Sequence, residues 1–320
     1  MNRLASTTLA GLALLTVSSL SAAQGLEPAS VLVFPLHRGA PELTLLSVTN
    51  THPTRSVRVT YRYLEVVPDP ANPLRPLHCS TFIGAEMLTP NDTVSRVTEC
   101  VADAGALGWV LVSARDVDTG CAVSHDRLVG SGLVIGGQGS RTVVTPIPFR
   151  SVLPEGSCTD VNTNGRIDFD GVEYETGPDH VVADSFLPIL DSRLVLFPLV
   201  PDPAHTDVTV SFDVFNDNEL PLSLTFTFRC YLEAELDRLS PLFTEAYLRG
   251  TPNDPTELDI DCDREDDLET GWFRVRALSA SFLGGSLPDP VVLGALTGGA
   301  GSFESGRSLW NVGSRSSGSL

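Results

Sequence analysis

The chain has 320 residues, 21 basic against 40 acidic side chains, and a formal charge of −19 at pH 7. A surface this acidic repels phosphate backbones and anionic lipid, which excludes nucleic acid and acidic membranes as partners. Every basic residue is Arg, which excludes a P-loop lysine, a pyridoxal Schiff base and a Ser–Lys pair; Arg stays protonated and cannot replace Lys as a base.

Residues 1–23 read as a signal peptide: Arg3 gives the charged start, Leu9–Val17 a short apolar run, and Ser21 and Ala23 small residues before a cleavage site. The run is too short for a permanent membrane span, and an uncleaved tether is the alternative. An exported protein follows, secreted, periplasmic or at the cell surface, with no membrane-spanning segment after cleavage. The rest is long enough for two ordinary domains.

Those domains look like copies. "VLVFPL" (31–36) returns as "LVLFPL" (194–199), "TPND" (89–92) as 251–254, "VTEC" ending at Cys100 as "DIDC" ending at Cys262, and "GWVLV" from Gly108 as "GWFRV" from Gly271. Phe34 to Trp109 and Phe197 to Trp272 are equally spaced. Domain 1 is placed at 26–150 and domain 2 at 189–305. Within each copy the period is two: Val208, Val210, Phe212 and Val214 alternate with Asp207, Thr209, Ser211 and Asp213, and "LSLTFTFR" (222–229) alternates likewise. That is the pattern of half-buried antiparallel strands. Turn clusters such as "PDPANP" and "FNDNELP" separate them, and "YLEAELDRL" (231–239) has room for two helical turns. Trp109 and Trp272 read as matched core anchors.

The expected fold is all-β: two tandem antiparallel β-sandwiches. Size and pattern resemble the immunoglobulin-like modules common in secreted bacterial proteins, although the Cys-Trp-Cys spacing of antibody domains is missing. The six Cys form no C-x-x-C and have no His at zinc spacing, so disulfides are expected. Keeping each bridge inside one copy or its connector pairs Cys79–Cys100, Cys121–Cys158 and Cys230–Cys262.

Between the copies, the connector 151–188 carries "DVNTNGRIDFDG" (160–171). Asp160, Asn162, Asn164 and Asp168 occupy positions one, three, five and nine of a calcium loop, Gly165 the sharp turn, Arg166 the backbone-carbonyl position, and Ile167 the inward apolar position. The stretch resembles the calcium loop of EF-hands, dockerins and thrombospondin type-3 repeats over about twelve residues. It departs from them at Gly171, where a bidentate carboxylate belongs, so Asp170 or Glu173 is expected to swing in. The resemblance implies weak Ca2+ binding, with a Kd of roughly 10⁻⁴–10⁻³ M, and a structural role in ordering the connector.

A second acidic run, Thr256–Glu269, alternates Asp259, Asp261 and Asp263 with Leu258, Ile260 and Cys262, and reads as a strand with an acidic face. His125 and Asp126 are neighbours and make a poor dyad, because adjacent strand residues face opposite ways. Asp266 and Asp267 imitate a glycosidase pair only as any acidic run does. "NDT" at Asn91 reads as a turn. The Gly/Ser-rich residues 306–320 are expected to form a flexible tail. The sum is a non-enzymatic structural or adhesive protein whose partner is an unknown protein or glycan at the cell surface. The alternatives are a carbohydrate- or protein-binding module, which exposed aromatics would favour, and a carboxylate-dependent hydrolase.

Overall fold

The computed structural model describes residues 27–72, 74–98, 102–136, 141–188, 192–216, 222–249, 269–287, 290–300, 303–315 and 318–320. The signal segment 1–23, Cys100, Cys262, and Asp259, Asp261, Asp263, Asp266 and Asp267 lie outside these residues.

The chain is all-β. The first half lays down β1 (Val31–Arg38), β2 (Leu43–Asn50), β3 (Val57–Val67), β4 (His78–Leu88), β5 (Thr93–Val97), β6 (Leu107–Arg115), β7 (Leu128–Ile135), β8 (Arg141–Val144) and β9 (Ile147–Phe149). The connector contributes β10 (Asp168–Phe169). The second half adds β11 (His180–Phe186), β12 (Arg193–Leu199), β13 (Thr206–Asn216), β14 (Leu222–Arg229), β15 (Leu232–Glu235), β16 (Gly271–Phe282), β17 (Gly285–Leu287), β18 (Val291–Ala300), β19 (Phe303–Ser308), β20 (Trp310–Val312) and β21 (Gly318–Ser319). Of the two helical turns expected over 231–239, the first is strand β15 and only Leu236–Leu239 coils.

The first half has one sheet ordered β4-β3-β6-β1-β9 and another ordered β8-β7-β2-β5; the second has β14-β13-β16-β11-β20 and β15-β12-β18-β19. The strand orders correspond one to one. Even the irregularities agree: a bulge falls between Phe34 and His37 where β1 meets β6, and between Ala183 and Phe186 where β11 meets β16. Val31 sits between Ser113 and Phe149, as His180 sits between Arg276 and Val312. The pairs β2–β5 and β3–β6 match the B–E and C–F pairs of an immunoglobulin sandwich, but β1 lies beside β6 where its last strand belongs, and β7 beside β2 where its first belongs.

This correspondence corrects one motif pairing. "VLVFPL" is β1 and "LVLFPL" is β12, whose place in the order is that of β2. The two segments are alike because both are buried on both faces, which demands a continuous apolar run. In β1, Leu32 and Phe34 fill the first half's own core, with Leu46, Tyr61 and Val110, while Val31 and Val33 face the other way. In β12, Leu194 and Leu196 fill the second half's core, with Phe212 and Phe273, while Val195 and Phe197 face the other way. Those outward residues meet in a third core shared by the halves, where Trp109 stacks on Phe197 with ring centroids 4.7 Å apart. A parallel contact of β19 with β8 further makes one eight-stranded sheet of both halves. The halves are therefore joined by packing and pairing as well as by the connector.

Cys121–Cys158 forms as expected, but Cys79 bonds Cys230, so Cys79–Cys100 and Cys230–Cys262 do not form. The shared core brings Cys79, early in β4, to Cys230, just past β14, across a separation of 151 residues. Locality in sequence was the wrong guide once strands from different halves packed together. Serine at both Cys79 and Cys230 is expected to lower unfolding free energy by about 2–5 kcal/mol, as loss of a long-loop bridge does, read by urea denaturation. A loss below 0.5 kcal/mol, roughly the noise of a surface change, would contradict a bridge between the halves.

Residues 306–320, expected to fray, contribute to β19, β20 and β21. Arg315 donates to Asp179 Oδ1 at 2.9 Å and to the carbonyls of Ala277 at 2.9 Å and Pro290 at 3.2 Å, and Leu320 is buried. Glycine here permits close approach rather than looseness: a Cβ on Gly318 would lie 2.9 Å from a Val291 methyl.

Candidate calcium loop

The connector folds as a compact loop whose polar side chains point inward. Gly165, at φ +73°, turns the chain, and its N–H donates to Asp160 Oδ2 at 3.0 Å. Asn162 Oδ1 accepts the Asn164 N–H at 3.0 Å, and Asn164 Oδ1 the Arg166 N–H at 2.7 Å. The Asn162 and Asn164 side chains both reach Asp168 Oδ2, each at 2.7 Å. Asp160 Oδ1 is buried with no hydrogen-bond partner. Asn162, Asn164 and Asp168 are thus in contact, while Asp160 bonds the turn at Gly165. The Arg166 side chain is exposed, and its backbone N–H, rather than the carbonyl expected of that position, is what meets the loop side chains.

The departure at position twelve has a structural reason. Gly171 has φ +80°, a left-handed conformation that glycine adopts without a Cβ penalty. Its N–H bonds the Tyr174 carbonyl at 2.9 Å, closing a turn. Asp170 Oδ1 caps that turn, accepting from the Val172 and Glu173 N–H groups at 2.8 and 3.0 Å, so Asp170 serves the turn. The turn carries Glu173 back to the loop, where its carboxylate accepts from Val161 N–H at 2.8 Å and Asp168 N–H at 3.4 Å. Of the two candidates, Glu173 is the one whose carboxylate returns to the loop backbone.

The loop is tied to the shared core. Ile167, Phe169 and Tyr174 are buried in it beside Leu320. Ile167 and Leu320 exchange both backbone hydrogen bonds, at 2.7 and 2.9 Å, and β10 pairs with β21. Sequence spacing predicts that Ile167 turns inward; its partner at the far end of the chain carried no spacing signal.

Asp168 lies near enough to Glu173 for its charge to act on it. Burial, followed by the charge of Asp168, pushes the Glu173 carboxyl up. Among the described residues, no group of three His, Cys, Asp or Glu is placed to hold a metal; a hard cation here needs the asparagine oxygens too. Both asparagine oxygens accept backbone N–H groups and both amide nitrogens face Asp168, so calcium, which takes oxygen ligands, requires these side chains to turn.

The side chains of His125 and Asp126 have structural partners. His125 Nε2 meets Asn50 Oδ1 at 2.9 Å, whereas Asp126 Oδ1 accepts from Ser30 Oγ at 2.6 Å and Ser151 N–H at 3.0 Å. The neighbours have separate partners. Burial first, then the charges of His52, Arg55 and Arg127, lower the His125 pKa to about 4. The neutral form is favoured in the fold, so stability is complete above the free imidazole value near 6.5 and falls as pH drops from there through 4. The loss at full protonation is about 3 kcal/mol. Urea denaturation from pH 7 to 4 should show it, and His125→Gln, which keeps an amide donor for Asn50, should flatten that part of the profile. An unchanged slope in the variant would remove His125 as the cause.

A cleft of about 440 Å³ between the halves is lined by Arg38, Tyr231, Glu233 and Glu235, among others. Glu233 is paired with Arg38, and Glu235 with Arg238 at 2.5 Å. Asp69, also in the lining, accepts the Ala71 N–H at 2.9 Å.

No family model matches the chain, and no curated protein matches it. Among solved structures, a chain of the Cowpea mosaic virus top component, a naturally occurring empty particle, aligns over 97% of this chain and 98% of its own, at 9% identity and a TM-score of 0.20. A likeness at that score carries no argument about fold or function.

Proposed function

We propose that the protein is an exported, non-enzymatic structural or adhesive component of the cell envelope or extracellular space, in which one calcium ion rigidifies the connector. The supporting observation is one loop, rooted in the shared core by Ile167, in which the Asn162 and Asn164 side chains meet Asp168, Glu173 returns to the loop backbone, and Asp160 Oδ1 is buried without a partner. The ion would be held by side-chain oxygens of those residues and the Arg166 backbone. Its positive charge would offset the mutual repulsion of three carboxylates. The loop would gain rigidity, and through Ile167 and Phe169 so would the joint between halves.

Two disulfides fit an oxidising compartment. Among the described residues, no helix is long and apolar enough to cross a membrane. Thermal melting in zero to 10 mM calcium tests the proposal, with a rise in Tm as the expected result and a flat response as the refutation.

A further inference from the structure

We infer that the outer face of the β14-β13-β16-β11-β20 sheet is a platform for a neutral polysaccharide chain. The correspondence between halves locates it. In the first half the equivalent face is the one covered by the shared core, with Trp109, Leu111, Val31, Ile147 and Leu64 turned into the second half. At the matching positions the second half has Trp272, Arg274, His180, Trp310 and Phe215. The aromatic at Trp109 is kept, two aliphatics become aromatic, and others become cationic or imidazole side chains. A dry protein-facing surface has been replaced by rings mixed with hydrogen-bonding groups.

The arrangement is ordered. Phe215 and Trp272 stack with centroids 4.0 Å apart and planes 6° from parallel. Arg274 lies over Phe215 at 5.9 Å and donates to Asp213 Oδ2 at 2.6 Å. Arg276 and His180 meet Asp179 at 3.6 and 3.4 Å. Trp310, 58% exposed, is two strands from β16, in one cross-strand row with Val182 and Arg274. Strand spacing sets Trp310 about 10 Å across from β16 and about 7 Å along it from Trp272, a span that a short run of hexoses covers.

The occupant follows from the chemistry. A protein partner would have to desolvate the Arg274–Asp213 and Arg276–Asp179 pairs, which is costly without replacement bonds. A sugar chain keeps water at the face, offers hydroxyls to carboxylate and guanidinium alike, and lays its C–H faces on the rings. Opposite charges here are paired, and the chain as a whole is strongly acidic, so a polyanion gains no attraction.

Affinity electrophoresis of the full chain through gels containing hydroxyethylcellulose, laminarin or soluble mannan tests this, with polygalacturonate and heparin gels alongside. Retardation is expected in at least one neutral gel. Trp310→Ala and Trp272→Ala should each weaken it about 2- to 10-fold, the worth of one ring stack. Trp310 is exposed, so its variant should melt with the native protein. The inference is overturned if no neutral gel retards the native protein, if both variants are retarded equally to it, or if the anionic gels retard it more than the neutral ones. It is also overturned if the native chain is a dimer that Trp310→Ala renders monomeric, since a second copy then occupies the face.

Discussion

Trp109→Ala is expected to lower unfolding free energy by about 3–5 kcal/mol, while Trp272→Ala lowers it by only about 1 kcal/mol, the worth of a surface ring stack. The two residues occupy equivalent positions on equivalent strands, each in a "GW" pair. What differs is the other side. Trp109 is fully buried, its ring against Phe197 from the second half, with Leu111, Leu293 and Ala295 in the same core. Truncation leaves a cavity between halves that neither can collapse into without moving a sheet. Trp272 stacks on Phe215 at the surface, and truncation there exposes ring area already near water. Urea denaturation of both variants reads the contrast. Equal losses would mean that the halves do not share a core in solution.

That contrast also shows how far the residues alone could be read. Strands β13 and β14 were legible because each has one face inside and one outside, and a period of two survives in "DVTVSFDV" and "LSLTFTFR". The central strands were not, because burial on both faces erases the alternation. "VLVFPL" and "LVLFPL" then matched through a common environment rather than a common place in the fold. Equivalent Trp residues looked like twin core anchors, although among the described residues only the first half's sheet has a neighbour to cover it. In the loop, the contacts of Asn162 and Asn164 with Asp168 were legible because local spacing sets them. The return of Glu173, rather than Asp170, to the loop backbone depended on a turn at Gly171, and the Ile167–Leu320 bridge on a contact between distant segments.

Calcium is expected to raise Tm by roughly 2–3 °C at ten times its Kd. Ligand at that ratio stabilises by about 1.4 kcal/mol, and each kcal/mol is worth about 1.5–2 °C in a chain of this size. Asp160→Asn should abolish the rise. That substitution keeps an oxygen to accept the Gly165 N–H, so the turn survives, but removes a charge from the oxygen set. Glu173→Gln should weaken the response while leaving the Val161 N–H an acceptor. Magnesium should produce a smaller rise, since it demands near-octahedral geometry and gives up water reluctantly. Hydrogen exchange supplies a local reading: the N–H groups of Ile167 and Leu320 bond each other's carbonyls, so calcium that stiffens the loop should slow both. A rise of equal size in the wild type and Asp160→Asn would place the ion elsewhere. Slowed exchange at Ile167 with no change at Leu320 would leave the ion in the loop but uncouple it from the joint between halves.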